Sequence, residues 1–302
     1  MPLPAIQPFS LISRNRFTLP FVLLAALAPL ANSQGAGKAN ERSAIISPDS
    51  LTVPAAGVPL QTAPDARKPG EETSIPERKT IVALDIGHTS TSPGCISAYG
   101  RNEYSYNKEI VERIAAKLDR SESVEPYVVN PEGHAISLRL RTELAKKHGA
   151  QLFLSIHHDA AQPKYMKSWI VDGKLQSYSE DFRGYGVFVS QKNPFPVASR
   201  SFVTLIGREM RRAGFQFSPH HNEAIKGENR PILDQENGVY RYDDLIVLKT
   251  ARMPAALLEC GVIIHPEEAK ILAQSETQEK IAQAVTVAVE QMVSDRAITP
   301  WR

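Results

Sequence analysis

The 302-residue chain contains only two cysteines, Cys95 and Cys260. That excludes a disulfide-rich scaffold and any Cys-x-x-Cys metal site. The two could pair in an oxidising compartment, or stand unpaired as small apolar residues of a core. Charge of one sign is also missing: 35 Lys and Arg face 33 Asp and Glu, a formal net charge of +2. With no basic tail or stripe, nothing suggests nucleic acid as a partner. Long apolar runs are absent too. The most apolar stretch, Phe17 to Ala31, falls short of the ~20 residues that span a bilayer, so no transmembrane span is expected in the mature chain. Aromatic residues are missing from Gln34 to Lys79, a segment punctuated by Pro48, Pro54, Pro59, Pro64, Pro69 and Pro76. Such a segment cannot bury enough apolar surface to offset chain entropy.

What is present begins with a leader. A polar start carrying Arg14 and Arg16, the apolar run, and then Ala31, Asn32 and Ser33 follow the order of a cleaved secretory signal over residues 1–33. Asn15 separates the arginines, so a twin-arginine route is not supported. Losing the leader removes two positive charges and no acids, leaving the mature chain near neutrality. Residues 34–79 read as a Pro-rich tether, 80–295 as one domain and 296–302 as a tail. Within the domain, strand-like and helix-like patterns alternate, which predicts a single α/β domain: a mostly parallel twisted sheet flanked by helices.

Four segments carry candidate chemistry. "IVALDIGHTSTSPG", Ile81 to Gly94, is an apolar run of the kind expected for a buried parallel strand, with His88 two residues beyond its end. Ligands bind at the carboxyl ends of such strands, although a structural histidine fits there as well. "GRNEYSYNKEIVERIAAKL", Gly100 to Leu118, has helical periodicity, with Glu103 near its start and Glu109 and Glu112 left towards solvent. "AQLFLSIHHDA", Ala150 to Ala160, runs into His157, His158 and Asp159, and strand alternation lets only one of the two histidines face a site shared with His88. The helix before it is predicted to pack through Leu138, Leu140 and Leu144 and to close at Gly149. In "MPAALLECGVII", Met253 to Ile264, Glu259 interrupts an apolar strand. A carboxylate there is costly to bury unless it is paired, near a cation, or working. Two histidines and a glutamate suffice to hold Zn²⁺ with a position open for water, and a second glutamate can act as base. Spacing alone does not assign these roles.

These residues resemble the zinc-dependent N-acetylmuramoyl-L-alanine amidases of the type-3 amidase group, which cleave peptidoglycan. The likeness covers roughly Thr80 to Val293. "LDIGHTSTSPG" is similar to the family's strand, Asp and Gly-His loop, with Thr89 and Ser90 in place of its usual glycines. "EYSYN" matches its glutamate followed four residues later by Asn107, which favours Glu103 over Glu109. Leu138 and Arg141 echo its Leu-x-x-Arg helix, "LFLSIHHD" its Ser-Ile-His strand end, and "MPAALLECGVII" its final Pro, strand, Glu and Gly. Asp159 stands where Asn is commoner, and the region of Asn130 departs from the family's arginine.

The resemblance implies Zn²⁺ held by His88, Glu103 and His157, Glu259 as catalytic base, and Asp85 as support for a ligand or as a buried structural carboxylate. It implies a peptidoglycan substrate, with an activator protein as a further partner. The leader predicts export, and the lack of a basic wall-binding stretch favours the periplasm of a Gram-negative cell over the outside. Two segments, about 162–184 and 218–244, are longer than in a minimal amidase. One of them could cover the zinc, through His220, His221, Glu223 or Glu228, or form a groove wall. Two rivals remain: a zinc exopeptidase or carboxypeptidase acting on free peptides, and a catalytically silent peptidoglycan-binding protein.

Overall fold

The computed structural model describes residues 78–298. The expected leader, nearly all of the expected tether and the last four residues lie outside them. The described chain forms nine strands: β1 (Thr80–Ile86), β2 (Val124–Val129), β3 (Leu152–Asp159), β4 (Lys167–Val171), β5 (Lys174–Tyr178), β6 (Gly186–Val189), β7 (Ile232–Asp234), β8 (Val239–Arg241) and β9 (Ala255–Val262). Among them lie six α-helices: α1 (Glu103–Leu118), α2 (Leu138–Lys147), α3 (Pro196–Arg212), α4 (Ile246–Thr250), α5 (Pro266–Leu272) and α6 (Ser275–Ile298). Among the described residues no helix is long and apolar enough to cross a membrane.

Seven strands make one sheet in the order β2-β1-β3-β9-β6-β8-β7, while β4 and β5 form a separate antiparallel hairpin. β1, β2, β3 and β9 are parallel, and β6 runs antiparallel to β9. The expected α/β domain with a mostly parallel sheet is therefore the fold observed. β1, β3 and β9 are apolar over most of their length because helices cover both faces of the sheet. Val82, Leu84, Leu154, Ile156 and Leu258 point to the face covered by α1, α3 and α6. Ala83, Phe153 and Leu257 point to the other, with Val247 and Leu248 of α4. This alternation sets the site, since residues 157, 159 and 259 continue the second series and His158 continues the first.

Helix α1 starts where Asn102 caps it, its side chain accepting from Ser105 N at 2.9 Å. That cap fixes Glu103 at the first helical position, pointing into the sheet's carboxyl end. Helix α2 ends as expected, with Gly149 at φ +81°. Its packing differs from expectation, however: Leu138 and Leu140 are exposed, Leu144 is half-buried, and the buried positions are Arg141, Thr142 and Ala145. The helix turns a guanidinium inwards because a buried carboxylate awaits it. Cys95 and Cys260 are both unpaired thiols, and burial pushes the pKa of each up.

Candidate metal centre

Three side chains meet beyond the carboxyl ends of β1 and β3. His88 Nε2 lies 3.0 Å from Glu103 Oε2, and His157 Nδ1 lies 3.0 Å from Glu103 Oε1. The two rings stand edge to face, with centroids 5.0 Å apart, and one ligand atom from each of the three residues lies within 4.8 Å of the others. Burial alone would raise the Glu103 carboxyl. The hydrogen bonds and positive character of His157 and His88 outweigh it and hold the group well below the usual carboxylate range.

The backbone is shaped around this meeting point. A Cβ on Gly87 would lie 2.5 Å from the His157 ring, and one on Gly94, where φ is +78°, would lie 2.3 Å from Glu103 Oε2 and 2.7 Å from the His88 ring. His88 itself sits at φ +67°, a conformation that non-glycine residues adopt at a cost. Arg141, buried under the loop, holds it there. Its guanidinium donates to Asp85 Oδ1 at 2.7 Å, to the Ile86 carbonyl at 2.6 Å and to the His88 carbonyl. Asp85 Oδ2 also accepts from Ser155 Oγ at 2.7 Å. Asp85 thus bears on His88 through Arg141 and the backbone. A cavity of about 400 Å³ opens beside His88, lined by Thr89, Ser92, Ile136 and Arg141 among others.

Of the adjacent histidines, His157 faces His88 and Glu103. His158 turns to the opposite face, where Nδ1 meets Asn107 Oδ1 at 2.8 Å and burial lowers its pKa to about 3. Asn107 in turn donates to Glu103 Oε1 at 3.2 Å and to the Gly87 carbonyl. Glu109 points away and pairs with Arg101. Glu259 lies opposite His157 in the β3/β9 register. Its Oε2 is shielded from solvent and has no hydrogen-bond partner. Desolvation, followed by the charges of Asp159 and Glu103, pushes its pKa well up. A buried carboxylate beside two histidines and another carboxylate suits a cation, and the nitrogen-oxygen-nitrogen donor set suits Zn²⁺.

The two longer segments take definite positions. Residues 162–184 contain the β4/β5 hairpin, which rests on the α1 entry loop through Trp169 Nε1 donating to the Ala98 carbonyl. In 218–244, His220 and His221 meet Asp159, Glu223 accepts from Tyr165 Oη, and Glu228 meets His221 and Gln162. Among the described contacts none of these four reaches His88, Glu103 or His157. Sequence reading did not find the roles of Gly87 and Gly94. Single glycines in a loop carry no signal of what their missing side chain makes room for.

A family model described as N-acetylmuramoyl-L-alanine amidase matches residues 82–291. The N-acetylmuramoyl-L-alanine amidase AmiA of Salmonella typhimurium is 25% identical over 237 residues, covering 75% of this chain and 80% of its own. An N-acetylmuramoyl-L-alanine amidase from Clostridium difficile 630 superposes with a TM-score of 0.57 at 20% identity, covering 72% of this chain and 98% of its own. The CwlD amidase from Clostridioides difficile, solved in complex with the GerS lipoprotein, gives 0.52 at 19% identity, covering 72% and 100%.

Proposed function

The chain belongs to the N-acetylmuramoyl-L-alanine amidase family, and on that premise we propose that it hydrolyses its amide with Zn²⁺ held by His88, Glu103 and His157 and with Glu259 as the base. The enzyme is a peptidoglycan hydrolase that cleaves the bond between N-acetylmuramic acid and L-alanine of the stem peptide. The observation that carries the metal reading is the cradle. Two glycines leave room for three ligand atoms within 4.8 Å of one another, and a side chain at either glycine would close it.

When bound, Zn²⁺ supplies a Lewis acid that lowers the pKa of water and polarises a carbonyl. The protein's own groups do the rest. Glu259 Oε2, free of any partner, is the atom that takes a proton from the attacking water and returns it to the leaving amine. A carboxylate whose pKa burial pushes well up is suited to both transfers. Asn107 and the Cys95 N–H donate to Glu103, so that its oxygens stay turned towards the two histidines. The cavity beside His88 offers room for a part of the substrate flanking the metal ligands, with Thr89 and Ser92 as polar contacts.

The leader over 1–33 supports export, and the absence of a basic wall-binding stretch supports the periplasm of a Gram-negative cell. The lipoprotein complex of the CwlD neighbour supports an activator protein as a further partner. The test is mass spectrometry of products from purified sacculi, with and without chelator, beside Glu259→Ala. Chelator-sensitive release of intact stem peptides that the variant lacks is expected. Release that persists in chelator would overturn the zinc reading, and single amino acids as the product would indicate an exopeptidase.

A further inference from the structure

A second convergence of metal-ligating atoms lies one step along β3 from the first. Asp159 follows His157 by two residues and so shares its face of the sheet, about 7 Å away along the strand. His220 Nε2 lies 2.9 Å and His221 Nε2 2.8 Å from the same carboxylate oxygen, Asp159 Oδ2. One ligand atom from each of the three lies within 4.8 Å of the others. We propose that Asp159, His220 and His221 form a second divalent-cation site of the Zn²⁺ class, separate from the one at His88.

Three observations carry this. First, each imidazole is oriented from behind, as metal-bound imidazoles are: His221 Nδ1 meets Glu228 Oε2 at 2.9 Å and His220 Nδ1 meets Ser218 Oγ at 2.8 Å. That fixes both rings with Nε2 turned towards Asp159. Second, His220 is 3% exposed, and despite its 2.9 Å approach its Nε2 is out of line for a hydrogen bond and has no partner. A buried nitrogen aimed at a carboxylate but not bonded to it costs free energy unless something else takes its lone pair. Third, the ring centroids of His220 and His221 are 3.9 Å apart. If a proton on each Nε2 satisfied Asp159, His221, whose Nδ1 already faces the Glu228 carboxylate, would be a cation in contact with the His220 ring, whereas one metal ion between two neutral rings would satisfy all three side chains. Phe182 stacks on His220, and Phe188 and Tyr240 meet His221 edge on, so aromatic rings pack against both imidazoles. Two nitrogens and one carboxylate oxygen suit Zn²⁺ ahead of Mg²⁺ or Ca²⁺. An ion there would pin the 218–230 segment to the end of β3.

The test is Zn²⁺ stoichiometry of the full chain, stripped by chelator and titrated calorimetrically with Zn²⁺ alone. Elemental analysis provides the count, and Co²⁺ substitution an optical readout. Two equivalents are expected for the wild type and one for His220→Ala/His221→Ala. His88→Ala/His157→Ala should also bind one, with its visible Co²⁺ bands retained. Asp159→Asn, which preserves shape, should likewise reduce the count to one and decides the matter if the double histidine variant fails to fold. One wild-type equivalent, abolished in His88→Ala/His157→Ala, would overturn the second site and leave the first intact. One equivalent lost only in His220→Ala/His221→Ala would uphold it and overturn the first.

Discussion

Replacing Arg141 with methionine separates two things that the guanidinium does at once. Asp85 and Arg141 are 1% and 2% exposed, so the variant leaves a buried carboxylate with Ser155 Oγ as its remaining side-chain partner. Breaking a buried pair on one side costs about 3–5 kcal/mol. At roughly 2–4 °C per kcal/mol for a domain of this size, the melting temperature should fall by about 6–20 °C. The same change frees the Ile86 and His88 carbonyls and releases the loop that holds His88 at φ +67°. Loss of such outer support typically weakens a metal site by about 10–100-fold. The assays are thermal unfolding of the stripped protein and calorimetric Zn²⁺ titration. Adding Asp85→Leu removes the orphaned charge, so the double variant should recover most of the stability. It should not recover the affinity, because the two carbonyls remain unheld. A single variant within ~1 kcal/mol of wild type, or a double variant that regains full Zn²⁺ affinity, would refute the reasoning.

Glu259→Gln keeps the shape but cannot accept the water's proton, so turnover on sacculi should fall by about 10²–10⁴-fold. Zn²⁺ stoichiometry should be unchanged, and joint loss of metal and activity would make Glu259 a ligand instead. Gly94→Ala should weaken Zn²⁺ binding more than tenfold in calorimetric titration, because its Cβ would strike Glu103 and His88. Gly173→Ala is the control, with a similar φ of +72° and nothing within 4 Å. It should cost only the ~1–2 kcal/mol of the left-handed backbone, and equal effects on Zn²⁺ would sink the cradle argument. Glu268 accepts from the Gly184 and Val262 N–H groups, but burial still raises its pKa to about 7. Its folded value lies above the unfolded one, so the folded state binds the extra proton and stability should decline as pH rises from about 4.5 to 7. Urea midpoints of wild type and Glu268→Gln at pH 5 and pH 8 check this, and an equal pH dependence in both proteins would exclude Glu268 as its source.

The strands that build the site were legible because they are buried on both faces. Ile81 to Ile86 and the run into Glu259 are short apolar runs of the kind that buried parallel strands show, and the edges found, Thr80–Ile86 and Ala255–Val262, differ little from those read in the sequence. Alternation along β3 likewise placed His157 and His158 on opposite faces, and the family resemblance singled out His157. The inward face of α2 was not legible. Helical spacing of leucines points to Leu138 and Leu140, but the residue with a buried partner is Arg141, and that partner, Asp85, lies 56 residues earlier. The Asp159, His220 and His221 cluster escaped for the same reason. The histidine pair was visible in the sequence, but its meeting with β3 depends on how the 218–244 segment crosses the end of the sheet.

The strand order has a consequence for synthesis. β9 lies between β3 and β6, so the middle of the sheet is completed by residues 255–262, and Glu259 is delivered only with them. Until residues 255–262 pair with it, β3 has an open edge even with His88, Glu103 and His157 in place. Pairing over so long a separation is slow and late. On the role proposed for Glu259, the pairing that closes the core is also the step that completes the site.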